Sequence, residues 1–434
     1  MSTSSLYDTC LHYALLMEDG LAPRRPRVFT REVDGGGFTV GVGRSLNHDA
    51  QHAGADAAAQ ALDQLGDVSP DAVLVFASAA YDQQALIQSI AAKTGNAPLC
   101  GCTGEGVITQ AGSDECSHVV AVMAISAPSV TFRTFAVAEL GADSAIAGRK
   151  LAEKVAPHAS PDDLLVLFPD GVHGNCRKLL AALERGLENG TPPPTIVGGT
   201  AGDLFQFERT YQYRDGHAFS DGVAALLISG IDAEFVISHG CDLVGEPQTI
   251  TKTDGCFIEE IDGQRAWDLF KGYLDDDADT LEAMHVAHLL LAERIRGPVP
   301  ESFAPFTVRV PVRLDATRGA LYFAAGLEEG TPVQVALRNP DKVCERAIEA
   351  AQRLATRRGR PALMLQLDCA GRGRLLFDQE TTTRIVEPVQ QAIGKDVPWL
   401  GLHTYGEIAP VGTETLFHNY TGVLCALYPR TRRG

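Results

Sequence analysis

The sequence predicts an α/β protein: two related halves built from repeated strand–helix–strand–hairpin units, with mixed sheets flanked by helices. Three observations lead there. Apolar runs without alternation, such as "DLLVLF" and "ALMLQL", read as strands buried on both faces. Each is followed by a helix-length segment and then by another apolar run. Finally, a glycine-rich turn is written three times: "GCTGEGVI" from Gly101, "GGTAGDLF" from Gly198 and "GLHTYGEI" from Gly401. The first and third superpose without a gap, and the second is one residue shorter before its second glycine. Three copies in one structural context indicate internal duplication.

Taken in order, residues 1–24 read as an irregular tail. "FTVGVGRS" alternates as a strand, and the Ala-rich stretch 49–65 is a helix. "AVLVFASAAYD" is a strand running into a small-residue loop, "QQALIQSIAAKTG" a helix, "APLCGCTGEGVI" a strand and turn, and "SHVVAVMAI" the closing strand. "VTFRTFAVAEL" and "SAIAGRKLAEKV" lead to the second copy: "DLLVLFPDGVHG", the helix "CRKLLAALERGLENG", "TIVGGTAGDLF", and a hairpin around the strong turn dipeptide Asp215-Gly216. The third is "ALMLQLDCAGRGRLLF", the helix "TRIVEPVQQAIG", "VPWLGLHTYGEIAP" and "HNYTGVLCALY". Between the second and third copies lie "AEFVISHGCDLV" and the strand–turn–helix "CFIEEIDGQRAWDLFKGYL". The acidic "DDDADTLEAMH", expected to be solvated and mobile, follows. Successive antiparallel strands from "PFTVRVPV" to "TPVQVAL" lead to the helix "KVCERAIEAAQRLATRRGR". The border between halves is expected between residues 245 and 246, giving domains 25–245 and 246–434.

A formal net charge of −18 excludes a non-specific nucleic-acid binder, which needs a basic surface, and disfavours an anionic membrane. No run of eighteen apolar residues suggests a membrane span, and the N-terminus lacks the pattern of a secretory signal. The ten cysteines include no C-x-x-C pair, as expected of reduced thiols in a cytoplasmic protein.

In "VFASAAYD", "GCTGEG", "VGGTAGDLF", "IEEIDGQRAWDLF", "LEEGTPVQVALRNP", "DCAGRG" and "GLHTYGEIAPVGTETLFHNYT" the chain resembles the tandem FIST proteins, an N-terminal FIST domain followed by a FIST C-terminal domain. The resemblance covers nearly all of residues 25–430. It implies an intracellular sensory module of bacterial signal transduction, taking a small amino-acid-like ligand; one branch of the family binds haem and senses nitric oxide. No kinase, cyclic-dinucleotide or receptor module is read in the sequence. The expected output partner is therefore a separate protein, such as a histidine kinase. The family commonly ends its first Gly turn with a Gly-Glu pair. Here the third copy does so, with Gly406-Glu407, whereas the first has Gly106-Val107 and its glutamate at Glu105.

The candidate ligand residues follow from the third copy. Arg372 and Glu407 both follow its strands, separated by one helix, so a right-handed crossover places them on one side of a sheet. Arginine grips a carboxylate through two parallel hydrogen bonds. With His403, Tyr405, His418 and Asn419 they form a set suited to a zwitterion. Cys369 and Cys102 sit at strand ends, and Gly101, Gly198 and Gly401 allow close backbone approach. Haem is the alternative ligand, with His173, His217, His239, His403 and His418 as axial candidates and no C-x-x-C-H attachment motif. No metal site and no catalytic residue is expected. An adaptor that binds another protein through one face is the second reading. A cysteine enzyme, with Cys102 or Cys369 and His403 as base, is the third, and no G-x-S-x-G elbow supports it.

Overall fold

In the computed structural model, which describes residues 38–188, 190–274, 289–295, 297–300 and 303–430, one unit recurs three times. The tail 1–24 and the acidic stretch 275–285 lie outside the described residues. In the first repeat, strand Thr39–Ser45 leads to helix Ala50–Leu65, strand Ala72–Ser78, helix Gln83–Lys93 and strand Leu99–Gly104. The last runs parallel to Ala72–Ser78. A hairpin, Gly106–Thr109 with Gly112–Asp114, then leaves the sheet, and Val120–Ser126 returns between the first two strands. The second repeat matches it with Thr131–Ala138, Ser144–Val155, Leu164–Pro169, Cys176–Leu187, Thr195–Thr200, the hairpin Gln212–Arg214 with His217–Phe219, and Gly222–Ser229. The third has Ile231–Ser238, Pro340–Arg357, Leu363–Cys369, Glu387–Ile393, Trp399–Thr404, the hairpin Gly406–Val411 with Glu414–His418, and Gly422–Pro429. The aspartates and asparagines before the helices do local work. Asp49, Asp82, Asp143, Asn175 and Asn339 each accept amide hydrogen bonds as N-caps.

No repeat completes its own sheet. The first repeat's hairpin pairs with Trp399–Thr404, the second's with Leu99–Gly104, and the third's with Thr195–Thr200. The three turns that make this exchange close a ring of backbone hydrogen bonds. Gly202 donates to the Thr103 carbonyl (3.0 Å), Tyr405 to that of Thr200 (3.2 Å) and Glu105 to that of His403 (2.9 Å). Gly101, Gly198 and Gly401 sit at one topological position, opposite Val75, Leu167 and Gln366 on the parallel neighbour. A Cβ on Gly101 would lie 1.8 Å from the Val75 oxygen, and on Gly198 2.2 Å from that of Leu167. Glycine there is what lets the strands approach.

The sheets' inner faces share one core, which includes Leu74, Phe76, Val166, Phe168, Leu365 and Leu402. Phe76 and Phe168 meet edge to face at 5.3 Å. Alternate residues of the same strands, such as Val75, Leu167 and Met364, bury outward against each repeat's own helices. Both faces are therefore apolar, and the alternation of a half-exposed strand is missing.

The third repeat differs in one place. Where the others pass from first strand to first helix through a few residues, it carries an eight-stranded antiparallel sheet, formed from residues 241–338. That sheet leaves through Cys241–Asp254 and returns through Pro332–Arg338, with Cys241 and Arg338 paired at its root. Strand Cys241–Asp254 runs through the expected border at 245.

Candidate functional site

At the carboxyl end of each repeat's central parallel strand, the usual side for a ligand in an α/β sheet, the loops before its first helix and its last strand converge; this junction is the repeat's crevice. Register makes the three crevices comparable. The residues closing the central strand are Ser78, Asp170 and Cys369, and each amide donates to the carbonyl of Val119, Gly222 or Thr421. Three residues on lie Tyr81, His173 and Arg372. Preceding the first helix's N-cap are His48, Ala142 and Arg338, and preceding the last strand are His118, Asp221 and Tyr420. Asp221 and Tyr420 both adopt left-handed backbone, each at φ 52°. The fourth and third positions touch: His48 stacks on His118 at 4.4 Å, and the Arg338 guanidinium lies 4.2 Å over Tyr420.

The first crevice is open and rimmed by histidines, and the second is acidic. The third is cationic and closed, because the inserted sheet covers it. Cys241, Phe306, Val308 and Ala336 of that sheet pack on Cys369 and Tyr420. Arg309, Arg338 and Arg372 are all buried here. Arg309 donates to Glu293 Oε2 (2.8 Å) and to the Phe417 carbonyl (2.7 Å). Arg372 Nε is 2.7 Å from Asp368 Oδ1, an ion pair off-axis for a hydrogen bond, while its Nη1 donates to the Ser238 carbonyl at 2.8 Å. Arg338 Nη1 donates to the Gly371 carbonyl, and its Nε and Nη2 have no partner among the described residues.

Two buried histidines complete the third site. His239 Nδ1 accepts from the Cys241 amide at 3.3 Å, which puts its proton on an unpartnered Nε2. His418 Nε2 donates to the Ala409 carbonyl at 3.1 Å, leaving the Nδ1 lone pair free. Phe303 lies between them, 5.3 Å from His239 and 5.9 Å from His418, edge to face with both. Burial pushes the His239 pKa down to about 4 and that of His418 to about 3, so both rings are neutral.

The remaining candidates lie deeper, around the exchange turns. Glu407 is enclosed by the Thr404 hydroxyl (2.7 Å) and by the Thr421 amide (3.1 Å) and hydroxyl (2.7 Å), and burial raises its pKa to about 8. Arg372 and Glu407 are thus both enclosed by protein groups. Tyr405 donates to Asp203 Oδ1 at 2.5 Å and stacks on Phe207 at 4.9 Å. Beside it Glu105 accepts from the Leu204 and Phe205 amides; burial, then Asp203, raises its pKa to about 8. His403 Nε2 is 2.8 Å from Ser113 Oγ and 3.7 Å from Glu115. Asn419 donates to the Tyr405 carbonyl at 3.1 Å.

Elsewhere, His217 is exposed, and His173 is exposed beside Asp170. Cys102 and Cys369 are buried, which raises both thiols well above the ordinary range. Among the described residues no three His, Cys, Asp or Glu side chains are placed to hold a metal, and no helix is long and apolar enough to cross a membrane. An open groove of about 490 Å³ between Phe132, Arg133, His158 and Asp215 lies away from all three crevices.

Residues 71–264 match the FIST N domain, and residues 266–410 match the FIST C domain. The chain belongs to the FIST family. FIST domains are sensory domains of signal-transduction proteins that bind small ligands. An uncharacterised Mycobacterium tuberculosis protein is 27% identical over 391 residues, covering 88% of this FIST chain and 97% of its own length; one from Mycobacterium bovis is 25% identical over 397 residues. A solved cyanuric acid hydrolase matches 70% of this chain and all of its own, at 11% identity and a TM-score of 0.28, a likeness too slight to carry an argument. Sequence reasoning missed Arg338, Arg309 and Asp203 in this FIST protein, and picked out Glu105 only as the displaced glutamate of the first Gly turn. One signal was available: "VQVALRNP" puts an arginine at the end of an apolar strand, directly before a helix cap.

Proposed function

We propose that the protein senses a small polar ligand in the third crevice, beneath the inserted sheet, and passes its state to a separate signalling partner. One observation carries this reading. Buried polar atoms without a hydrogen-bond partner among the described residues gather there: Arg338 Nε and Nη2, His239 Nε2, His418 Nδ1 and Arg309 Nε. An unmatched buried polar atom costs about 1–3 kcal/mol, and a ligand that matched several would recover that. The location suits sensing as well as binding. A molecule held between repeat and insert would favour one arrangement of the two over others, and differential affinity is all that signalling requires. Thiols held protonated by burial favour a binding module over a cysteine enzyme.

The test is a thermal-shift screen of amino acids, organic acids, sugars and amides. A ligand present at a hundred times its Kd should stabilise the fold by about 2.7 kcal/mol. A response lost in Tyr420→Ala but kept in His48→Ala would place it in the third crevice. If no compound shifts melting, the sensing reading fails.

Haem is the second reading, and the His418 lone pair favours it. Of the five candidate histidines, His239 and His418 combine burial, neutrality and aromatic neighbours. Haem titration should give a Soret band that His418→Ala abolishes; no band on titration removes the reading.

A further inference from the structure

We propose that the third crevice binds a small monoanion of the carboxylate class, and that Arg338 is the residue that seats it. This rests on the third crevice being the ligand site. It differs from the sequence-based expectation, which gave the carboxylate to Arg372.

The first argument is charge. Of the three arginines buried at this junction, Arg309 has Glu293 at 2.8 Å and Arg372 has Asp368 at 2.7 Å. Arg338 has no carboxylate within ion-pair distance among the described residues, and it is only 4% exposed. Burying an arginine opposes its charge, yet arginine does not give up its proton in proteins. An unpaired cation taken out of water is among the costliest things a core can hold. One negative charge would balance Arg338; the other two buried arginines already have a carboxylate each, Glu293 being shared with the part-exposed Arg177 at 3.0 Å.

The second argument is shape. Nη1 of Arg338 is spent on the Gly371 carbonyl. The two unpartnered nitrogens, Nε and Nη2, form one edge of the guanidinium, and that edge presents the parallel donor pair that fits a carboxylate. The Tyr420 ring, 4.2 Å from the guanidinium carbon, supports the fork from one side. Tyr420 is itself held in left-handed backbone with Gly371 against its ring. A carboxylate would thus meet a donor pair already oriented.

The third argument is comparison within the chain. At the positions of Arg338 and Tyr420, the first repeat has His48 and His118, and the second has Ala142 and Asp221. In the second, Asp221 and Asp170 are satisfied by amides: Asp221 Oδ1 accepts from Gly141 at 2.6 Å, and Asp170 Oδ2 from Asp221 at 3.1 Å. The acidic crevice has supplied its own donors. The cationic one has not supplied an acceptor for Arg338 Nε and Nη2 among the described residues.

The experiment uses the full chain and two matched pairs of probes, acetate against acetamide and benzoate against benzamide, with inorganic phosphate as a further arm. Wild type, Arg338→Met and Arg338→Lys are melted with and without each. Either carboxylate should raise the wild-type melting temperature and its amide should not. Arg338→Met should lose the response, and Arg338→Lys should keep only a weakened one, having a charge but no fork. Ligand-free Arg338→Met should melt above ligand-free wild type, because an unpaired buried charge has been replaced by an apolar chain of similar length. An equal response in wild type and Arg338→Met overturns the assignment of Arg338, and equal responses to acid and amide overturn the charge argument; both leave the sensing reading standing. A response to phosphate alone overturns the carboxylate class. No response to any anion overturns the inference whatever the variants' stability, and the sensing reading then depends on the neutral compounds of the wider screen.

Discussion

The first and third repeats share strand order, register and the three-way exchange of hairpins, yet their crevices have opposite characters. Both place one side chain over the ring of another at equivalent positions, His48 over His118 and Arg338 over Tyr420. In the first repeat the upper residue is exposed; in the third it is buried under the inserted sheet. Covering an arginine with no acid beside it among the described residues is a cost that the first repeat avoids. The difference teaches where function is to be sought in a duplicated fold: the copy whose chemistry is left incomplete, not the copy whose turn looks most polar.

The largest expected effect tests what the repeats share. Gly101→Val puts a side chain 1.8 Å from the Val75 carbonyl, a backbone atom of the adjacent parallel strand that cannot move aside. We expect a loss of about 3 kcal/mol or more, read from denaturant unfolding. Near-neutral behaviour would mean that the exchange turns tolerate the strand shift, and the common scaffold would be looser than described. Gly371→Ala comes next, and it separates the two copies. Its Cβ would fall 1.7 Å from Tyr420 Cε1, whereas the first repeat accepts Ala80 at the equivalent position. About 1–3 kcal/mol should be lost as Tyr420 is forced from under Arg338, together with any ligand response. Retention of the response would show that the Arg338–Tyr420 stack is not part of the site.

Much of this fold was legible in the sequence, and the reason is local. Strands buried on both faces show as unbroken apolar runs, N-caps as Asp or Asn, and glycine at a strand approach as glycine whatever surrounds it. The triplication was legible because the turn at Gly101, Gly198 and Gly401 must keep its shape for the ring to close. What was not legible is which chain segment meets which. Hairpins that leave their own sheet place Glu407 and His418, paired with each other, on the second repeat's sheet, while Arg372 follows a strand of the third's. Arg372 follows its strand as the pattern requires, but Asp368, four residues earlier on that strand, pairs with it. Arg338 stands 82 residues before Tyr420 in sequence, at the far end of an insertion, and only the return of that sheet brings the two together.

A pH experiment sharpens the comparison at the exchange turns, where the third copy has Glu407 and the first has Val107. Burial raises the Glu407 pKa from 4.5 to about 8, so the folded state keeps a proton that the unfolded chain releases. The associated stability is complete below pH 4.5 and lost as pH rises towards 8. His239 and His418 act in the other direction. Their folded pKa values lie below 6.5, so their contribution is present above 6.5 and lost on acidification. Between pH 7 and 9 the histidine contribution is nearly constant, and the buried thiols, whose pKa values burial also raises, are common to variant and wild type and cancel in the comparison. Glu407→Gln should therefore melt higher than wild type at pH 9, with a smaller gain or none at pH 6. Parallel melting curves across that range would mean that Glu407 is ionised in the folded protein.

The smallest expected effect is also the sharpest control. His48→Ala removes the upper member of the first repeat's stacked pair. His48 is exposed, and its ring lies on His118, whose pKa is lowered by burial and by His48 itself. Substitutions at exposed positions usually change stability by less than about 0.5 kcal/mol. Removing His48 should also let the His118 pKa rise, because one source of its depression is gone. Two measurements follow, a melting curve and the His118 titration by NMR. The expected result is an unchanged melting temperature, an upward shift at His118 and an undiminished ligand response. That pattern would confine the response to the covered copy. A lost ligand response in His48→Ala would mean that the first crevice communicates with the third through the shared ring of turns at Glu105, Gly202 and Tyr405, and the two copies would have to be treated as one coupled site.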